Sequence, residues 1–153
     1  MKFRSAILEY RLQKGNNQFV PIYHYPDIEL EQVLARRECE FFVKDGVTFR
    51  QLSSAIEDEL FVIYVDLYED GLPEKEKSSI QDISLEVREL NAAKNHPLIA
   101  TEYVTHHMDV LSIIGSAYTY YHGQEWERDS AEIDEDRKVY VLYVTPTGYK
   151  ISI

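Results

Sequence analysis

The chain has 153 residues, 44% of them apolar and 28% charged, and its 27 Asp and Glu against 16 Lys and Arg give a formal net charge of −11. A chain this long buries roughly two-thirds of its unfolded surface, so it needs neither disulfide nor metal to fold, and its twelve Tyr and six Phe exclude disorder throughout. The acidic balance argues against nucleic acid or an anionic membrane as a direct partner. The single cysteine, Cys39, fits a reducing compartment. Charge interrupts the first apolar residues too early for a signal peptide, and no run reaches the roughly 18 apolar residues of a membrane span. A soluble, cytoplasmic protein is expected.

In chain order, Ile7 to Leu12 reads as a first strand, and Gln13 to Gln18, with Gly15 and two Asn, as a turn. Phe19 to Tyr25, rich in β-branched and aromatic residues, reads as a second strand. Pro26-Asp27 then opens a helix of about three turns, with Ile28, Leu30, Val33 and Leu34 on its buried stripe and Glu29, Glu31, Arg36 and Arg37 facing out. A hairpin follows: Glu40 to Val43, the turn Lys44-Asp45-Gly46, and Val47 to Phe49. Phe61 to Asp66 is nearly continuous in apolar residues, as a strand covered on both faces would be.

The series then repeats. Ser84 to Leu90 is a strand, Leu98 to Tyr103 a less distinct one, and Thr105 caps a helix carrying Met108, Val110, Leu111 and Ile114 before Gly115. A hairpin turns at His122-Gly123, and Val139 to Val144 is the last strand of the series. Thr145-Pro146-Thr147-Gly148 then turns into a short extra strand, Tyr149 to Ile153.

Sliding the chain by 77 residues brings residues 1 to 56 over 78 to 133 with nine identities: Leu8/Leu85, Glu9/Glu86, Arg11/Arg88, Ile22/Ile99, Val33/Val110, Leu34/Leu111, Gly46/Gly123, Ser53/Ser130 and Ile56/Ile133. Unrelated segments would give roughly three. Two extra residues in the second half then bring Leu60 to Val65 over Val139 to Val144. The expected fold is α+β: a tandem duplication of a strand, strand, helix, hairpin, strand unit, packed as one pseudo-twofold body with a mostly antiparallel sheet. Its boundaries are 1–67 for the first unit, 68–78 for a charged linker and 79–153 for the second unit. The halves 1–77 and 78–153 carry −5 and −6, so the charge is shared.

Its placement is not. Glu125, Glu127, Asp129, Glu132, Asp134, Glu135 and Asp136 fall within twelve residues, with Trp126 among them. Strand alternation puts Glu125, Glu127 and Asp129 on one face as a carboxylate ribbon. Glu57, Asp58 and Glu59 occupy the equivalent loop of the first half. Such surfaces attract a basic partner and speed its capture.

Other chemistry has less support. His106 and His107 point about 100° apart on a helix, so they do not chelate one ion, and His106 with Asp109 gives only two ligands. Neither a nucleophile elbow, a glycine-rich phosphate loop nor a paired-cysteine zinc motif is present. No cofactor and no resident metal are expected. Tyr118 and Tyr120 share a strand face, Tyr121 takes the other, and exposed Tyr suits a binding surface.

The sequence therefore predicts a non-catalytic interaction protein, in the manner of an immunity protein, an inhibitor or a nucleic-acid mimic. It would bind a basic protein through Glu125, Trp126, Glu127, Asp129, Asp134, Glu135 and Asp136, with Glu57, Asp58 and Glu59. The alternative is a small-molecule site in an apolar cleft between the units, lined by Tyr118, Tyr120, Tyr121, His106 and His107. A third reading, a metal-dependent hydrolase using His106 and Asp109, needs another histidine brought close.

Overall fold

A computed structural model of the chain describes residues 4–68 and 83–151. All of the expected linker beyond Tyr68, and the first residues of the expected second unit, lie outside the described residues.

The described chain is a mixed α+β structure dominated by sheet. The first half runs β1 (Ser5–Gln13), β2 (Phe19–Glu29), α1 (Leu30–Arg37), β3 (Phe41–Lys44), β4 (Val47–Glu57) and β5 (Leu60–Leu67). The second runs β6 (Ile83–Glu89), a 3-10 turn (Ala92–Lys94), β7 (Leu98–Val104), α2 (His107–Ile114), β8 (Tyr118–Tyr121), β9 (Gln124–Asp134) and β10 (Val139–Lys150). One sheet joins them in the order β2-β1-β5-β4-β3-β9-β10-β6-β7, with β8 also on β9. The sheet is mixed, because β1/β5, β6/β10 and β3/β9 are parallel and the other pairs antiparallel. The β3/β9 pairing, Phe42 opposite Ile133, is where the halves meet.

Pairing follows the same plan in both halves. Leu8 lies opposite Phe61 and Leu85 opposite Tyr140 in the parallel pairs. Bulges occur at Ile22 in β2 and Ile99 in β7, then at Leu52 in β4 and Asp129 in β9. Each pair of bulges is 77 residues apart, and Ser53 and Ser130 follow the latter two opposite Tyr64 and Tyr143. A bulge adds one unpaired residue and sharpens the local twist, so matched bulges bend both halves alike. On the open face Arg11 donates to Glu9 at 2.7 Å, and Arg88 donates to Glu86 at 3.0 Å. The two extra residues lie in the β9–β10 turn, Glu135 to Lys138, against the tighter Asp58-Glu59 turn of the first half.

The helices pack on each other and share one core with the facing strand residues. Val33, Ala35, Val110 and Ile114 meet Leu8, Tyr10, Phe42, Leu85, Ile133 and Leu142, all buried. Each fully buried Leu or Ile contributes about 1.5–3 kcal/mol. Alternation along β10 sends Val139, Val141 and Tyr143 into a smaller cluster on the opposite face.

Several expected details change. The helix begins at Leu30, not Pro26, because β2 keeps pairing with β1 through Ile28 opposite Ala6 and Glu29 opposite Ser5. Both helices have eight residues, little over two turns. Arg36, expected to face out, is buried, while Met108, expected on the buried stripe, is exposed. His106, not Thr105, is the cap of α2, and its side chain makes no capping bond. The extra C-terminal strand is the end of β10 itself, whose pairing with β9 breaks between Pro146 and Lys150, where Gly148 takes a φ of +93°. No helix among the described residues is long and apolar enough to cross a membrane.

Candidate functional site

The acidic run of β9 does not form one ribbon. Trp126 faces the core, where its indole N–H donates to the Tyr121 carbonyl at 3.4 Å. Asp129 is the exposed bulge residue, so the simple alternation that grouped it with Glu125 and Glu127 breaks there. Glu132 and Asp134 are buried, and Asp134 accepts from the Arg137 guanidinium at 2.9 Å. Asp136 accepts from the backbone N–H groups of Asp45 and Gly46, both at 2.8 Å, and so ties the second half to the β3–β4 turn. In the first-half loop, Glu57 accepts two bonds from Arg11, Asp58 is a turn residue with φ of +54°, and Glu59 lines a recess beside Phe61.

Glu57, Asp58, Glu59, Glu127, Asp129 and Asp136 all stay exposed, and strands β8 and β9 set part of this charge beside tyrosines. Tyr118 lies directly opposite Glu127 and Tyr120 opposite Glu125 in the β8–β9 ladder, so all four side chains share one face. Tyr118 and Tyr120 are 51% and 48% exposed, and Tyr149 of β10, 58% exposed, meets the Tyr120 ring edge-on at 6.5 Å. The Tyr120 hydroxyl donates to Glu125, which also accepts from Thr147 at 2.8 Å, so this carboxylate is held in place. Tyr121 turns the other way and packs on the core. The aligned first-half positions, Phe41, Val43, Thr48 and Arg50, carry no acid.

A cavity of about 420 Å³ opens between α1, α2 and the β9–β10 turn. Its lining mixes charged and polar groups with apolar surface from Ile83, Ile133 and Tyr140, and among the tyrosines and histidines proposed for the cleft only His107 lines it. His107 Nδ1 lies 2.8 Å from the Tyr140 hydroxyl, and its Nε2 lies 3.3 Å from the Gln32 amide. Burial, with the nearby Arg36 charge, pushes the imidazole down to about 4, so it is neutral at pH 7. Burial pushes the Tyr140 hydroxyl well above the usual tyrosine range.

Arg36 reaches the cavity from α1 although it is 3% exposed. Its guanidinium donates to Glu135 at 2.7 Å and to the Tyr10 hydroxyl at 3.3 Å, and stands over the Tyr25 ring at 5.0 Å. Burial works against the Glu135 carboxylate, but Arg36, the Tyr25 hydroxyl and Lys44 outweigh it and hold its pKa below the usual range. Sequence reasoning missed Arg36, Glu135 and Lys44 as one group, since they lie on three separate elements. The only available signal was contrast between the halves, where Leu30, Glu59 and Phe61 align with His107, Lys138 and Tyr140.

Among the described residues no group of three or more His, Cys, Asp or Glu is placed to hold a metal ion. His106 and Asp109 both lie at the exposed start of α2, while His107 turns inward to Tyr140. No protein-family model, no curated protein and no solved structure matches the chain, so its functional reading rests on its own residues.

Proposed function

We propose that this is a non-catalytic, cytoplasmic interaction protein that captures a basic protein segment on the face formed by Tyr118, Tyr120, Glu125 and Glu127. The carrying observation is the cross-strand pairing of two exposed tyrosines with two carboxylates. Carboxylates attract Lys and Arg at long range, and Tyr rings offer contact area and cation–π stacking at low rotamer cost. Glu127 and Asp129, both exposed, extend the acidic field along β9, and the chain's net charge of −11 adds a long-range attraction for a basic partner.

The scaffold in this reading is a tandem duplication about a pseudo-twofold, with units 1–67 and 79–153. The nine identities and the matched bulges at Ile22/Ile99 and Leu52/Asp129 support it. One unit keeps Phe41 and Arg50 where the other carries Tyr118 and Glu127, so the binding face belongs to the second unit alone.

Titration of the isotope-labelled protein with a ten-residue lysine-arginine peptide, followed by amide chemical shifts, tests the reading. Saturable shifts confined to β8, Glu125–Asp129 and Tyr149 are expected. Shifts scattered over the surface without saturation, or centred on the Glu57–Glu59 turn, contradict it.

A further inference from the structure

The cavity between the helices concentrates positive charge in an acidic chain. Arg36, Lys44 and Lys138 line it, with Glu135 as the one carboxylate among the lining residues. Three cations against one anion leave two positive charges. Glu135 already accepts from Arg36, Lys44 and Tyr25, so its own demand is met while the cations keep donors to spare.

Arg36 brings its charge to the cavity wall although the residue is 3% exposed. Its Nε is buried and has no hydrogen-bond partner. Its other nitrogens donate to Glu135 and the Tyr10 hydroxyl, so the guanidinium is fixed and its charge stands at the cavity wall. Gln32 and the Tyr140–His107 pair add polar groups to the same wall.

The first half carries different residues at the corresponding wall. There the positions aligned with His107, Lys138 and Tyr140 are Leu30, Glu59 and Phe61, and all three line a recess of their own. The same strand pairing, Leu8 opposite Phe61 as Leu85 is opposite Tyr140, holds in both. The His107, Lys138 and Tyr140 set, with its positive charge where the first half has Glu59, is therefore particular to the second half.

We propose that this cavity binds a small dianion, a phosphate monoester or a dicarboxylate, whose oxygens accept from the Lys44 and Lys138 ammonium groups beside the fixed charge of Arg36. A volume of about 420 Å³ suits a small metabolite. This site is separate from the Tyr118/Glu127 face and stands or falls independently of it.

The test uses the full chain, titrated with inorganic phosphate and with succinate, each against chloride at matched ionic strength, while the His107 ring signals are followed by NMR. Saturable movement of those signals by at least one dianion is expected, and which one acts separates a tetrahedral from a dicarboxylate site. Lys138→Glu, which installs the first-half residue on an exposed turn, should weaken that binding about tenfold or more with the ligand-free unfolding midpoint unchanged. The proposal is overturned if neither dianion saturates, or if Lys138→Glu binds as tightly as the parent.

Discussion

Arg36 and Glu135, 99 positions apart, form a 2.7 Å ion pair in which the arginine of the first-half helix is 3% exposed and its partner stands on the second-half turn. The pair bridges the two halves on the helix side, as β3/β9 does within the sheet. Removing one member of such a pair leaves the other charge buried, which costs more than the intact pair contributes. Glu135→Gln should therefore lower stability by about 3 kcal/mol, read as a fall in the urea midpoint with an unchanged m-value. A loss below about 1 kcal/mol would mean that the guanidinium is solvated in the native state.

The neutral His107 makes stability depend on pH in a defined window. Its folded pKa of about 4 lies below the usual histidine value of 6.5, so the unfolded chain takes up the proton first as pH falls. Stability is then fully present above about pH 6.5 and declines toward pH 4, by on the order of 2 kcal/mol once partial exposure is allowed for. His107→Leu should flatten this stretch, leaving the steeper loss at lower pH that comes from Glu86 and Glu135, whose carboxyls are held below the usual range. An equally sloped profile in the variant would assign the dependence elsewhere.

Trp126 belongs to the core. Trp126→Ala should cost about 3–5 kcal/mol of stability, whereas a Trp that served only a partner would leave the unfolding midpoint in place. Thermal and urea unfolding of the variant decide between the two.

Much of the fold is legible because its signals are local. Asp45-Gly46 takes the left-handed conformation that its hairpin turn requires, with φ of +54° and +74°, and the identities Glu9/Glu86 and Arg11/Arg88 form the same ion pair in each half. What the sequence hides is set by partners distant along the chain. A helical wheel puts Arg36 outward because it knows nothing of Glu135, and a run of carboxylates makes Trp126 look exposed although Thr119 across the ladder and the core beneath decide its burial. β2 runs past Pro26 because pairing with β1 outweighs the local helical pattern. The cavity was illegible for the same reason, being assembled from residues between Gln32 and Tyr140.

The most direct test of the interaction face is the association rate with the lysine-arginine peptide, measured by stopped-flow at low and at physiological salt. Reversing Glu125, Glu127 and Asp129 to Lys, in a variant that retains the parent's unfolding midpoint, should slow association by about tenfold or more and flatten its salt dependence. Association as fast and as salt-sensitive as the parent's would contradict the assignment of this face.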